Sequence, residues 1–338
     1  MKKNMNYIKW IIPIIVILVL AVFLIIQNQK GSIEKMEIPY KGGSGNLGDE
    51  IKITEKGIKY IVDPSKIRGG GPPKDGIPSI DNPKFVSVAE ADEWIQDNEL
   101  VLAIIHKDVK RVYPLQILVW HEIVNDKIAG DPILITYCPL CGSGIAYESK
   151  INGEEVEFGT SGKLYNSNLV MYDRKTDTYW TQIDGLAIVG ELTGMELKPI
   201  SIDTVVWRDW KAAHPDSEVL SQNTGFNRNY GRDPYGNYYE DSFLLFPVEN
   251  EDNRIHAKTV IFGIEIDGVL KAYREDDLKE AGGIIEDVVG GVNIKVERDE
   301  AGIVKITNVD TGEEIVKERD FWFAWYAFHP DTELYGFD

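Results

Sequence analysis

Hydrophobic and polar residues alternate along many short stretches of the chain, and this alternation is typical of half-buried β-strands. The stretches 100–105 and 110–113 are separated by a polar turn at His106 and predict a hairpin. Residues 133–137 follow the breaker Asp131-Pro132 and predict a third strand, which ends at Cys138. The pattern therefore predicts an α+β fold with a mixed, β-rich sheet core and short helices.

Helical signals are short and depend on capping residues. Ser87 and Glu90 form a capping-box pattern, which predicts a helix near residues 91–95. Pro114 suits the first turn of a second helix, which we expect to run to about residue 124 and to carry His121. Asp203 is expected to cap a third helix. The helical content is therefore expected to be low.

The longest apolar run covers residues 10–26 and predicts one transmembrane helix before the main domain. As a helix it spans roughly 26 Å, near the short limit for a bilayer. No small-residue cleavage pattern follows, which favours an uncleaved anchor over a signal peptide. Three lysines precede the run, so the positive-inside rule leaves the N-terminus in the cytoplasm. We therefore predict a single-pass cell-membrane protein whose main domain is extracytoplasmic.

The chain divides into four predicted segments. Residues 1–30 are the N-terminal membrane anchor, 31–75 a glycine-rich linker with an N-terminal extension, and 76–250 a first lobe with the cysteine motif. Residues 251–338 form a second lobe packed on the first. Segments 103–113, 126–130 and 133–135 resemble 263–273, 287–291 and 294–296, so the sequence predicts an internal duplication. The second copy has no cysteine.

The charge balance excludes one class of partner. The chain has 55 Asp and Glu against 36 Lys and Arg, a formal net charge of −19. A chain this acidic repels phosphate backbones, so we expect no nucleic-acid partner.

The two cysteines carry the candidate chemistry. Cys138 and Cys141 are the only thiols and belong to the sequence Cys-Pro-Leu-Cys-Gly at 138–142, so no distant disulfide framework exists. In a thiol–disulfide centre Cys138 attacks and Cys141 resolves the mixed disulfide. Outside the cytoplasm such disulfides persist. The first hypothesis is therefore thiol-based redox chemistry, of the kind a thiol–disulfide oxidoreductase performs with a redox partner protein.

Two other hypotheses use the same residues differently. Cys138, Cys141 and His121 together suit a soft metal ion, namely copper, zinc or iron. Alternatively the cysteines form an inert clip in a non-catalytic envelope interaction domain. Candidates for lining a pocket near the thiols are Trp180, Gln182, Trp207 and Trp210, although core packing explains Trp207 and Trp210 equally well. The tyrosine-rich segment 230–239 predicts an ordered loop that covers the site.

Several separated motifs resemble a bacterial and archaeal family called domain of unknown function 3179 (DUF3179). The similarity covers roughly residues 76–280 and implies no established activity. Both cysteines and His121 stand where the family pattern has them. The motifs that carry the resemblance are Tyr113-Pro114, residues 120–126, residues 138–143, residues 168–174 and His214-Pro215.

Overall fold

The computed structural model describes residues 36–37 and 50–337 of the chain. Two compact units are distinguished, Met1–Glu37 and Ile38–Asp338. The first is described only at strand β1 (Met36–Glu37). The predicted membrane segment 10–26 lies outside the described residues. Among the residues that are described, no helix has the length and apolar character needed to cross a membrane.

The second unit consists mainly of short strands. In chain order they are β2 (Glu50–Ile53), β3 (Lys59–Tyr60), β4 (Arg68–Gly69), β5 (Phe85–Ser87), β6 (Leu100–His106), β7 (Val109–Pro114), β8 (Ile123–Ile128), β9 (Asp131–Cys138), β10 (Ser143–Glu148), β11 (Lys150–Ile151), β12 (Glu154–Glu155), β13 (Phe158–Tyr165), β14 (Asn168–Asp173), β15 (Tyr179–Thr181), β16 (Ala187–Val189), β17 (Pro199–Ile200), β18 (Asp203–Val206), β19 (Glu218–Leu220), β20 (Val260–Ile266), β21 (Val269–Arg274), β22 (Ile284–Val289), β23 (Val292–Arg298), β24 (Val304–Asn308), β25 (Glu314–Ile315), β26 (Glu318–Phe321) and β27 (Glu333–Leu334).

Helices are few and short in the described residues. The α-helices are α1 (Val88–Ala91), α2 (Leu115–Leu118), α3 (Trp207–Ala213), α4 (Glu275–Glu280) and α5 (Trp322–Phe328). Two 3-10 helices cover Pro64–Lys66 and Gly236–Tyr239. The predicted capping box at Ser87 and Glu90 is confirmed at the start of α1. The bounds predicted for this helix, near residues 91–95, were wrong, because the helix begins directly after its cap and ends at Ala91.

The strands of the second unit form sheets arranged like a propeller, so the prediction of a β-rich fold with short helices is confirmed. The largest sheet has the order β2-β3-β16-β15-β14-β13-β4. Strands β2 to β4 belong to the segment 31–75, so the described end of that segment is part of a sheet. Most neighbours are antiparallel, whereas β7 with β19 and β21 with β27 are parallel.

Two pairs of sheets have the same strand order. The order β18-β6-β7-β19 matches β26-β20-β21-β27, and β17-β10-β9-β8 matches β25-β24-β23-β22. A short helix, α3 or α5, follows β18 or β26 in each case. Strands β11 to β16, between β10 and β17, have no counterpart in the second set.

Side-chain hydrogen bonds recur at matching positions of these sheets. In each set a tyrosine hydroxyl donates to an aspartate, and a tryptophan indole donates to a hydroxyl seven residues later. These pairs are Tyr113 with Asp126 (2.6 Å), Tyr273 with Asp287 (2.8 Å), Trp210 with Ser217 (3.0 Å) and Trp325 with Thr332 (2.9 Å).

Two further helix predictions were wrong. The helix expected over 114–124 ends at Leu118. Glu122 has φ +59°, a left-handed backbone angle that a helix does not contain, and β8 begins at the next residue. Asp203 lies in β18 and not at a helix cap, because its carboxylate pairs with Lys317 Nζ at 2.9 Å. Helix α3 begins later, at Trp207.

The largest hydrophobic cluster surrounds the cysteine motif. It contains Cys138 and Cys141 together with Trp180 from the largest sheet. Phe321 and Phe323 contribute from β26 and α5. The cysteines therefore lie where the largest sheet, the β9–β10 hairpin and the β26 segment pack together.

Candidate functional site

The two cysteines belong to a tight hairpin turn between β9 and β10. Cys138 pairs with Ser143 across the hairpin, and the amide of Cys141 donates to the carbonyl of Cys138 at 3.1 Å. Gly142 has φ +62°, and a Cβ atom at this position would lie 2.8 Å from the ring of Phe321. Glycine is therefore required by both the backbone angle and the close packing.

Both thiols are free and buried, with 2% and 0% of Cys138 and Cys141 exposed. Both sulfur atoms face the carbonyl oxygen of Ser167, at 3.9 Å and 3.6 Å. Burial, followed by the contact with Cys138, raises the pKa of Cys141 well above its usual value. The geometry therefore keeps Cys141 as a thiol and brings the two sulfur atoms together.

An amide network holds Cys141 on its other side. Asn168 Nδ2 lies 3.5 Å from Cys141 Sγ and donates to Gln182 Oε1 at 2.7 Å. Gln182 Nε2 in turn donates to Thr136 Oγ1 at 3.0 Å. Gln182, which was predicted to lie near the thiols, is thus connected to Cys141 through the side chain of Asn168. Asn168 was not singled out, although it begins one of the motifs quoted for the family resemblance.

The tyrosine-rich segment contacts the turn, as its sequence predicted. Tyr238, in the 3-10 helix Gly236–Tyr239, donates its hydroxyl to the carbonyl of Leu140 at 3.0 Å. The ammonium of Lys258 donates to the carbonyls of Tyr238, Asp241 and Phe243. This segment, residues 230–243, is called the tyrosine loop below. It covers the cysteine turn and is tied to the body of the protein by Lys258.

His121 is placed to hold the other end of the tyrosine loop. Its Nδ1 donates to the carbonyl of Pro78 at 2.7 Å, because a carbonyl only accepts. Burial lowers the pKa of His121, so the ring is neutral and Nε2 accepts from Tyr230 Oη at 2.6 Å. Both ring nitrogens are therefore engaged.

The predicted metal ligands do not form a recognisable metal site. Across residues 50–337, no group of three or more His, Cys, Asp or Glu side chains is arranged to hold a metal ion. Cys138 and Cys141 are together, whereas His121 makes its hydrogen bonds elsewhere.

A cavity of about 360 Å³ lies beside the cysteine turn. None of the residues predicted to line a pocket near the thiols, Trp180, Gln182, Trp207 and Trp210, lines this cavity. Glu122 lines it with 7% of the residue exposed, and burial raises the pKa of its carboxyl to about 8. At neutral pH this carboxyl therefore holds its proton. The sequence places Glu122 next to His121 in a family motif, but its left-handed backbone and burial are visible only in the structure. The other lining side chains are mostly apolar and include Ile77, Leu140, Leu169, Tyr235, Leu245 and Phe246.

The arrangement suits thiol chemistry more than hydrolysis or ligand capture by charge. Two thiols in contact form a disulfide when two electrons and two protons leave them. The adjoining cavity is apolar, and its one carboxyl is protonated at neutral pH.

Fold and site together define a propeller-like, β-rich protein with a buried pair of free thiols at one hairpin turn. The family model described as "Protein of unknown function (DUF3179)" matches residues 74–318, which include the cysteine turn and Glu122. The chain belongs to this family. Neither a curated protein nor a solved structure matches the chain.

Proposed function

We propose that the chain is a thiol–disulfide oxidoreductase whose redox centre is Cys138 and Cys141. The observation that carries the proposal is the contact between two free thiols that share the carbonyl of Ser167. The apolar run 10–26 and the lysines before it support an anchor in the cell membrane with the main domain outside, where a partner protein exchanges disulfides.

The two cysteines take different roles in the proposed reaction. The thiolate of Cys138 attacks one sulfur of a partner disulfide, the partner S–S bond breaks, and the released partner sulfur takes a proton. Cys141 then loses its proton and attacks Cys138 Sγ, which frees the second partner thiol. The partner disulfide gains two electrons and two protons, and the chain holds a Cys138–Cys141 disulfide. The raised pKa of Cys141 suits the resolving position, because the attacking thiol must ionise first.

Access to Cys138 requires movement of the tyrosine loop. The sulfur is 2% exposed, and Tyr238 fastens the loop to the carbonyl of Leu140. The apolar cavity beside Leu140 offers a place for a side chain of the partner next to the turn. Opening of the loop would therefore precede attack.

We infer that the two matched pairs of sheets arose by duplication and that only the first copy carries the chemistry. The hairpin between β23 and β24 matches the one between β9 and β10, and the amide of Gly302 donates to the carbonyl of Asp299 at 3.1 Å. The matching bond in the first copy joins Cys141 and Cys138 at the same length. The second turn reads Asp-Glu-Ala-Gly and has no thiol.

The proposal is tested by trapping the mixed disulfide. The full chain in detergent is treated with glutathione disulfide, quenched with acid and weighed by mass spectrometry. Cys141→Ser should accumulate one glutathione on Cys138, because the resolving thiol is missing. Cys138→Ser should accumulate at least tenfold less, because the remaining thiol has a raised pKa and is buried. The double variant supplies a background without thiols.

The outcomes separate the three hypotheses. Equal and negligible adducts on both single variants would leave the cysteines as an inert clip in an interaction domain. A copper, zinc or iron ion retained by the wild type and lost in His121→Ala would favour the metal alternative, for which no described contact gives support.

A further inference from the structure

A second cleft, of about 210 Å³, is lined by carboxyl groups from distant parts of the chain. Backbone of β10 and β20 forms part of its wall, and Trp325 of α5 packs against Gly263. We call it the acidic cleft, and its lining carboxyls are Asp184, Glu196, Glu265 and Glu318.

Two carboxylate oxygens of the acidic cleft are buried without a donor. Asp184 Oδ2 and Glu318 Oε2 have no hydrogen-bond partner among the described residues. The side chain of Asp184 is 10% exposed. A buried acceptor left unpaired costs about 1–3 kcal/mol, so such atoms are rare and point to a donor that a ligand supplies.

Four carboxyl groups line the acidic cleft, against two basic lining residues, Lys317 and His329. Lys317 lines the cleft, but its ammonium pairs with Asp203 at 2.9 Å. His329 Nε2 lies 3.7 Å from Asp184 Oδ1. Burial, followed by the neighbouring carboxyls, raises the pKa of Asp184 to about 8. At neutral pH the carboxyl of Asp184 therefore holds its proton.

The matching sheet of the first copy shares one acid of the cleft and differs at a neighbouring position. Asp203, which pairs with Ala103, matches Glu318, which pairs with Gly263. Asp320 of β26 pairs with Ile261, and Val205 of β18 pairs with Val101 at the matching position. A fully buried Asp320 thus stands where the other copy has a valine. Polar side chains lie in this sheet although their burial costs free energy of folding. Such burial is expected where a ligand is bound.

We propose that the acidic cleft binds a small organic dication, of the class of short aliphatic diamines. Its volume equals that of about seven water molecules, which suits a short chain better than one ion. No three carboxyls converge on a single metal position in the described residues. Each ammonium group donates up to three hydrogen bonds, which meets the unpaired oxygens of Asp184 and Glu318. The apolar walls and the ring of Trp325 suit the methylene chain between the charges.

Binding of a dication displaces protons. When an ammonium group of the ligand pairs with a protonated carboxyl group, that carboxyl group ionises and releases its proton to solvent. The charged and titratable groups that face one another here are Asp184, Glu196, Glu265, Lys317, Glu318, Arg319, Asp320 and His329.

The test uses putrescine as the probe with the full chain in detergent. Titration calorimetry in two buffers of different ionisation enthalpy gives the affinity and the number of protons released. Saturable binding with proton release is expected, together with a change in tryptophan fluorescence because Trp325 lines the cleft. Asp184→Asn with Glu318→Gln should weaken binding at least tenfold. These amides mimic the protonated acids, so the double variant is expected to fold.

Two controls decide the result. Glu313→Gln changes an exposed acid that does not line the cleft and should leave the affinity unchanged. Cys138→Ser should also bind putrescine with the wild-type affinity. A failure of the redox proposal would therefore not affect this site. The proposal is overturned if putrescine shows no saturable binding, if the double variant binds as tightly as the wild type, or if calcium or magnesium binds as tightly as putrescine.

Discussion

Glu122 shows how one residue couples backbone geometry to proton binding. Its φ of +59° ends α2 and turns the chain into β8, and its amide and carbonyl bond to Leu118 and Tyr137 at 2.8 Å and 2.7 Å. The side chain is thereby directed to the cavity beside Leu140. Because burial is the cause that raises its pKa to about 8, the native protein favours the protonated carboxyl.

This proton makes stability depend on pH. Between about pH 4.5 and 8, native Glu122 holds a proton that the unfolded chain has released. The stabilisation is complete below pH 4.5 and is lost as pH rises through 8, at up to about 1.4 kcal/mol per pH unit. Glu122→Gln does not titrate. Its free energy of unfolding relative to wild type should therefore rise by about 3.5 kcal/mol between pH 5 and pH 8, measured by urea unfolding.

A matched exposed site serves as the control for this measurement. Glu300→Gln lies in the solvent-exposed turn of the second copy and should leave the pH profile unchanged. A variant at Glu122 with the same slope as the wild type would show that its carboxyl is ionised in the folded protein.

At the scale of elements, the tyrosine loop controls access to the thiols. His121 holds the loop at Tyr230, and Lys258 and Leu140 hold it near Tyr238. A loop fastened by a few hydrogen bonds opens at a lower free energy than the surrounding sheets. The rate at which Cys138 reacts with a reagent in the native state should therefore depend on these bonds.

Tyr238→Phe removes the bond to the cysteine turn and keeps the ring. Loss of one hydrogen bond of about 1 kcal/mol should make native-state alkylation of Cys138 about fivefold faster. Labelling with N-ethylmaleimide, followed by mass spectrometry, gives the rate. Tyr239→Phe is the matched control, because its hydroxyl bonds only to Asp233 within the loop, at 2.9 Å. Equal rates in both variants would show that the loop does not limit access.

The sequence predicted the elements whose pattern is local. The hairpin β6–β7 and the strand that delivers Cys138 follow from alternation and turn residues within a few positions. The helix from Pro114 was extended too far, because residues 115–123 have an apolar pattern that a helix also fits. Asp203 was misplaced because its partner, Lys317, is distant in the sequence. Local propensity yields to tertiary contacts at such positions.

At the scale of the whole molecule, comparing the two matched sets of sheets distinguishes residues that hold the fold from residues that we connect with function. Bonds present in both copies, such as Tyr113 to Asp126 and Tyr273 to Asp287, hold the fold. The cysteine turn is present in one copy, and the acidic cleft is lined by unlike residues of both copies and of the segment between β14 and β17. Features found in only one copy are therefore the ones we connect with function.

The similar segments were visible in the sequence, but the residues that line the two cavities were not. Weak matches at a constant offset identify related segments even when side chains differ. The acidic cleft joins Asp184 and Glu196 to Glu318, and in a chain of net charge −19 these acids look like ordinary surface charge. Only the assembled fold shows that they line one cleft.

A redox titration of the full chain tests whether Cys138 and Cys141 form a redox centre. Samples are equilibrated in dithiol–disulfide buffers, quenched with acid, unfolded, alkylated and weighed. We expect one transition from two alkylated cysteines to none. It should involve two electrons and have its midpoint in the range of roughly −270 to −120 mV that thiol oxidoreductases span. Two alkylated cysteines at every potential would contradict a redox function for Cys138 and Cys141.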